Sequence, residues 1–214
     1  MYTPSQFAVD DLERLHQVIR RHPLGLMISA HEGQLHMTHL PFHLVADSGN
    51  GTLEAHLARV NPHCSALLAG APSVVVFQGP NAYISPRWYT DPALNVPTWN
   101  YVAIHAHGRP RVIDDPQQTM NLIGRLTDAH EAYIPDPWHI AEAQHHAERL
   151  LPYILAFDIA IERLEGKFKL SQNRQSGDRL GVMQALKTGN TGSHREMLEM
   201  MESLYTADGK TRPD

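Results

Sequence analysis

The stretch from residue 79 to residue 108, GPNAYISPRWYTDPALNVPTWNYVAIHAHG, constrains the chain more than any other. Prolines at 80, 86, 92 and 97 fix φ and remove backbone donors, so a helix is denied here and Asn81 to Val96 is expected to be an ordered loop. From Thr98 the pattern becomes strict alternation. Val102, Ile104 and Ala106 fall on one side and Tyr101, Ala103, His105 and His107 on the other, the signature of a half-buried strand. A braced loop feeding a core strand offers flat apolar surfaces beside oriented amide and hydroxyl groups, which suits a small-molecule site.

The remaining periodicity supplies the partners of that strand. An aspartate at position 10 caps an expected helix through Arg21, with Leu12, Leu15, Val18 and Ile19 on one stripe. LGLMISA, LHMTHLPFHLV and Thr52 to Ala58 read as successive strands separated by tight turns, and Ser73 to Phe77 as another. Asn61 and Pro62 are expected to start a short helix ending at Gly70. Further helices are expected from Asp114 or Asp115 to about His130, over Ala141 to Leu151, and over 177–187 and 193–205, with the last nine residues a frayed end. Ile154 to Leu170 alternates again and returns as a late strand. Short, closely spaced strands interrupted irregularly by helices favour a mostly β chain with flanking helices, an α+β barrel rather than a doubly wound sheet.

Charge and composition remove several classes. The 214 residues carry a net charge of −5 with no basic run, which argues against autonomous DNA binding. The single cysteine, Cys64, excludes an intrachain disulfide and any Cys-Cys metal motif, and a cytoplasmic location follows as the expectation. No window approaches the roughly 20 apolar residues of a membrane helix. Phosphate-loop, dinucleotide-fold, nucleophile-elbow and H-E-x-x-H patterns are absent. Fifteen histidines invite a metal reading, but they show no ligand spacing beyond the same-face pair His105 and His107, so no metal site is assigned. Arg59 closes a strand just before the Asn61 helix start, where a guanidinium and free backbone donors could meet one phosphate. In GKFKLSQN, alternation sends Lys167, Lys169 and Ser171 to one face and Phe168, Leu170 and Gln172 to the other.

In order along the chain, MYTPSQF, HPLGLM, THLPFHL, HLARVNP, FQGPNAYISPRWY, VPTWNYVAIHAHG and EGKFKLSQNR resemble the PaiB-type FMN-binding negative transcriptional regulators, relatives of the pyridoxamine-phosphate-oxidase-like split barrels. The resemblance implies an FMN-binding split β-barrel over residues 1–175, with a C-terminal helical extension over 176–214 packed on the same domain. It also implies a homodimer with FMN at the subunit interface. Carried over by motif, Arg59 and Asn61 are phosphate-side residues, while Ser85, Trp88 and Tyr89 form the pocket wall. Thr98, Trp99 and Asn100 supply hydrogen bonds and a flat contact, and Lys169, Gln172 and Asn173 complete the set. Two classes of function stand open. One is a flavin-binding regulator acting with DNA or a protein partner. The other is a flavin-dependent oxidoreductase or a haem-binding or haem-degrading split barrel, in which the cofactor does the chemistry.

Overall fold

The computed structural model describes residues 1–189, 191–206 and 208–211. Of the last nine residues, expected to fray, 207 and 212–214 lie outside the described set. The strands are β1 (Ala8–Val9), β2 (Leu24–His31), β3 (Gln34–Pro41), β4 (His43–Val45), β5 (Thr52–Ala58), β6 (Ser73–Ile84), β7 (Thr98–Ile113) and β8 (Ile154–Lys169). The helices are α1 (Leu12–Arg21), α2 (Cys64–Leu68), α3 (Pro116–Glu131), α4 (Gln144–Leu150), α5 (Ser176–Thr188) and α6 (Gly192–Leu204). The sheet runs in the order β3-β2-β6-β7-β8-β5-β4, with β1 beside β8. Every pairing with an assigned register is antiparallel.

The chain divides into two compact units. The first comprises Met1–Asp10, Gln78–Ala103 and Glu165–Asp214, and the second comprises Asp11–Phe77 and Ile104–Leu164. In the second unit, β2 turns into β3 through Glu32 and Gly33, at φ 49° and 75°. Two left-handed residues make the tight turn whose twist matches the flanking strands, and the register follows from Leu24 opposite Pro41 to His31 opposite Gln34. The expected strand LHMTHLPFHLV breaks at Phe42. Its backbone N–H donates to Pro23 O at 2.9 Å, and its ring enters the core edge-on to Phe77 and Phe157. Helix α1 buries Leu15, His16, Val18 and Ile19, and its cap is Asp11, one residue beyond the expected position. Strand β8 pairs along β5, so the late strand closes on a partner about a hundred residues back.

In the first unit the loop expected from Asn81 is shorter than the prolines imply, because β6 continues through Pro80 to Ile84. The β2 ladder on β6 ends at Val76, so the missing N–H of Pro80 leaves no β2 bond unmade. Strand β7 then buries Asn100, Val102, Ile104 and Ala106 as the alternation predicts. The two terminal helices, α5 and α6, form where expected.

Candidate functional site

Ser85 and Asp91 shape the segment between β6 and β7. The Ser85 hydroxyl accepts from Arg87 N at 3.2 Å and opens a 3₁₀ turn over Pro86–Trp88. The Asp91 carboxylate accepts from Ala93 N at 3.1 Å and opens a second turn over Pro92–Leu94. Proline at the first position of each turn presets φ where no N–H is needed. The C-terminal segment fastens this loop from outside. Arg174 donates to Asn95 Oδ1 at 2.6 Å and lays its guanidinium 4.5 Å from the Tyr89 ring centroid. Thr90 N donates to Asp178 Oδ1 at 2.9 Å, and Ser193 Oγ donates to Asn81 O. A Cβ at Gly181 would stand 2.0 Å from Trp88 O, so glycine is what lets α5 touch the loop backbone.

Lys169 is the chemical centre of this unit. Its ammonium donates to Thr98 Oγ1 at 2.5 Å and to Trp99 O at 2.8 Å. Burial pushes its pKa down, and the like charges of Lys167 and Arg174 add to the effect. Lys167, 9% exposed, donates to Tyr2 O at 3.1 Å and lies over the Tyr101 ring. Among the described residues none of these three cations pairs with a carboxylate. A half-buried ammonium beside two like charges, partnered only by a hydroxyl and a carbonyl, is short of a counter-charge, which an anion would supply. Sequence reading set Lys167 on the face of Lys169 but carried only Lys169 into the site, and it gave Arg174 no part there.

The other expected residues of this unit have varied surroundings. Asn100 is buried and donates to Ser171 Oγ at 3.0 Å. Gln172 spends its amide on Leu170 N and Phe168 O, which braces the left-handed Ser171 at the end of β8. Asn173 is exposed. Trp99 is 53% exposed and meets Tyr83 edge-on at 5.9 Å, whereas Trp88 is half-buried. Tyr89, expected on the pocket wall, is 4% exposed, with Arg174 stacked on its ring. Burial raises its hydroxyl pKa against the pull of Arg174.

Arg59 and Asn61 belong to the second unit. Arg59 is exposed at the end of β5 and lines a cavity of about 310 Å³ with Asp114, Thr119 and Glu148. The helix start expected beside it does not provide free donors. Asn61 Oδ1 accepts from His63 N at 2.9 Å, and α2 begins only at Cys64 and lasts five residues. The Asn61 amide nitrogen instead opens a hydrogen-bond chain whose direction is fixed by its far end. Ser73 Oγ donates to Ala71 O at 2.9 Å, so Ser29 must donate to Ser73 and His63 Nε2 must donate to Ser29. His63 Nδ1 is then the acceptor for Thr38, which receives from Asn61. His63 is 1% exposed, and burial with the neighbouring His36 lowers its pKa to about 4, consistent with this neutral tautomer.

A family model described as "Putative FMN-binding domain" matches residues 1–163. The protease synthase and sporulation protein PAI 2 of Bacillus subtilis is 30% identical over 204 residues, covering 94% of this chain and 97% of its own length. An uncharacterized protein of Emericella nidulans is 32% identical over 231 residues, covering 89% and 92%. Among solved structures, the FAD and heme binding protein from Mycobacterium smegmatis matches with a TM-score of 0.57 at 20% identity, over 76% of this chain and 73% of that one. The flavocytochrome Anf3 from Azotobacter vinelandii matches at 0.52 and 15% identity, over 76% and 69%. At these identities the structural likeness concerns the fold, and the fold is the mostly antiparallel split barrel that the motifs imply.

Proposed function

The chain belongs to the FMN-binding domain family, and from that premise we propose that Lys169 holds an anionic part of FMN, in a flavoprotein that acts as a negative transcriptional regulator of the PaiB type. The observation that carries this reading is the Lys169 ammonium, fixed by Thr98 and the Trp99 carbonyl and lacking a carboxylate partner among the described residues. Such a donor set fits a phosphate or the electron-rich edge of an isoalloxazine ring. Ser85 and Trp88 of the loop and Trp99 of β7 form the wall in this reading. Tyr89, Asn100 and Gln172 act by holding that wall in place. Helices α5 and α6 serve as an extension packed on the same domain, since Asp178 and Ser193 tie down Thr90 and Asn81.

Regulation in this reading proceeds through a homodimer and a DNA or protein partner, in the cytoplasm. The exposed edge-on pair Trp99 and Tyr83 supports a surface that a second copy covers. The net charge of −5 supports weak intrinsic affinity for DNA, with specificity supplied by the partner. Among the described residues no helix is long and apolar enough to cross a membrane.

Arg59 and Lys169 are rival phosphate anchors, one in each unit, and titration separates them. FMN and riboflavin, followed by flavin fluorescence quenching, are compared for Arg59→Ala and Lys169→Ala. The true anchor loses roughly ten- to a hundredfold in FMN affinity and little for riboflavin, the loss expected when one charge-assisted partner of a dianion is removed. Equal loss for both flavins at Lys169 assigns it to the ring. No loss for either flavin removes it from the site.

A further inference from the structure

In the second unit a cavity of about 190 Å³ lies between the end of α1, strand β4 and the end of α3, and a wider hollow of about 580 Å³ adjoins it. Arg20, Pro23, Ala129, His130 and Tyr133 line both, so the two form one cleft. Its inner end is apolar, with Phe42 and Leu44 from the core. Two imidazoles interrupt that surface. His43 donates from Nδ1 to Glu54 Oε2 at 3.1 Å, which leaves its Nε2 for another partner. His130 has its Nε2 buried with no hydrogen-bond partner.

The charges around the cleft select the ligand. No carboxylate lines the cleft among the described residues, and Glu54, the partner of His43, is gripped by Arg125 through two bonds of 3.0 and 2.5 Å, so its charge is already spent. At the mouth stands Arg20, whose bond to Glu13 at 3.2 Å joins two exposed side chains and yields readily to a competitor. A cation would therefore meet a guanidinium and two imidazoles, and a purely apolar ligand would leave the His130 nitrogen unsatisfied. A buried nitrogen without a partner is rare and costly, and it has meaning if a ligand atom completes it.

We propose that this cleft binds a small organic anion, an aromatic or aliphatic body bearing one carboxylate, with the body against Phe42 and Leu44 and the carboxylate taken by Arg20 and, as the ring turns towards the cleft, by His130 Nε2–H. The site is separate in its residues from the Lys169 cluster and gives the protein an input that is independent of flavin.

Benzoate is the probe, titrated calorimetrically into the full chain loaded with FMN, with benzyl alcohol as the uncharged control of similar size. Benzoate binds and benzyl alcohol binds at least about tenfold more weakly, since one charge-assisted hydrogen bond is lost. Arg20→Gln weakens benzoate by a similar factor. His130→Phe fills the cleft, abolishes benzoate binding and raises the melting temperature, because it replaces an unsatisfied polar group by a ring. FMN content stays constant in both variants. No benzoate binding at about 10 mM, a concentration that detects even millimolar affinity, overturns the proposal. Equal affinity for benzyl alcohol, or undiminished benzoate binding in both variants, does so as well. If His130→Phe does not fold, the Arg20→Gln titration decides.

Discussion

Two polar clusters, one in each unit, are partnered in opposite ways. In the second unit, the chain from Asn61 through Thr38, His63, Ser29 and Ser73 to Ala71 O runs from donor to acceptor at every link and ends on a backbone carbonyl. In the first, Lys169 lies within electrostatic reach of Lys167 and Arg174, and the three have hydroxyl, carbonyl, amide and aromatic partners and no carboxylate among the described residues. A closed network contributes to the fold and has nothing left to offer a ligand. An open one costs the fold something and is repaid when a ligand arrives. This contrast separates structural from functional polar residues better than residue type does, since both clusters contain the hydroxyls and amides that a site would use.

Acid tests the closed side most severely. His63 has an ordinary pKa of 6.5 and a folded value of about 4, so protonation favours the unfolded chain. Its stabilising contribution is complete above pH 6.5 and is lost as pH falls towards 4, by about 3 kcal/mol in total. Burial lowers His56 and His130 in the same direction. At Glu54 burial raises the pKa but His43 and Arg125 more than offset it, so that group acts only below the window. Urea unfolding followed from pH 7.5 to 4.5 should show a steadily falling midpoint, and a flat profile would mean that the His63 chain is not closed in solution.

A smaller effect divides the clusters directly. Ser73→Ala strands the Ser29 hydroxyl and should destabilise the flavin-free protein by about 1 to 2 kcal/mol. Lys169→Met in the same flavin-free protein should be neutral or slightly stabilising, because it relieves repulsion from Lys167 and Arg174. Comparable losses in the two variants, read by urea midpoints, would erase the distinction. The smallest effect belongs to Arg111, which meets Asp158 at 2.6 Å but is 80% exposed. Arg111→Gln should cost less than about 1 kcal/mol, and that little only at low salt. A larger loss would place a closed network at the surface of this unit too.

What could be read from sequence follows from the range of the forces involved. Alternation and helical spacing depend on near neighbours, and they located β2, β5, β7, β8 and the helices to within a few residues. Pro80 misled because its fate depends on where the β2 ladder stops, which is a fact about another strand. The cover on Tyr89 was not legible because the guanidinium comes from Arg174, far along the chain. Asn61 was read as a helix start, yet its second partner, Thr38, lies on β3 and could not be inferred from spacing. The candidate site divides in the same manner. Its loop was visible in the proline pattern, and Lys169 in the alternation of β8. The absence of a carboxylate around that lysine is a property of the folded unit alone.

The contact at Gly181 sets how the loop over Tyr89 can move. With the helix backbone seated against Trp88 O, a roll of α5 by one residue about its axis would turn the Cβ of Leu180 or Val182 towards that carbonyl. Rotation is blocked, and withdrawal perpendicular to the axis frees the loop. Withdrawal breaks the Thr90 bond to Asp178 in the same stroke. The fastening therefore works as a latch with two positions rather than a graded hinge, so loop release should occur as a single rare event whose frequency is set by how often α5 lifts.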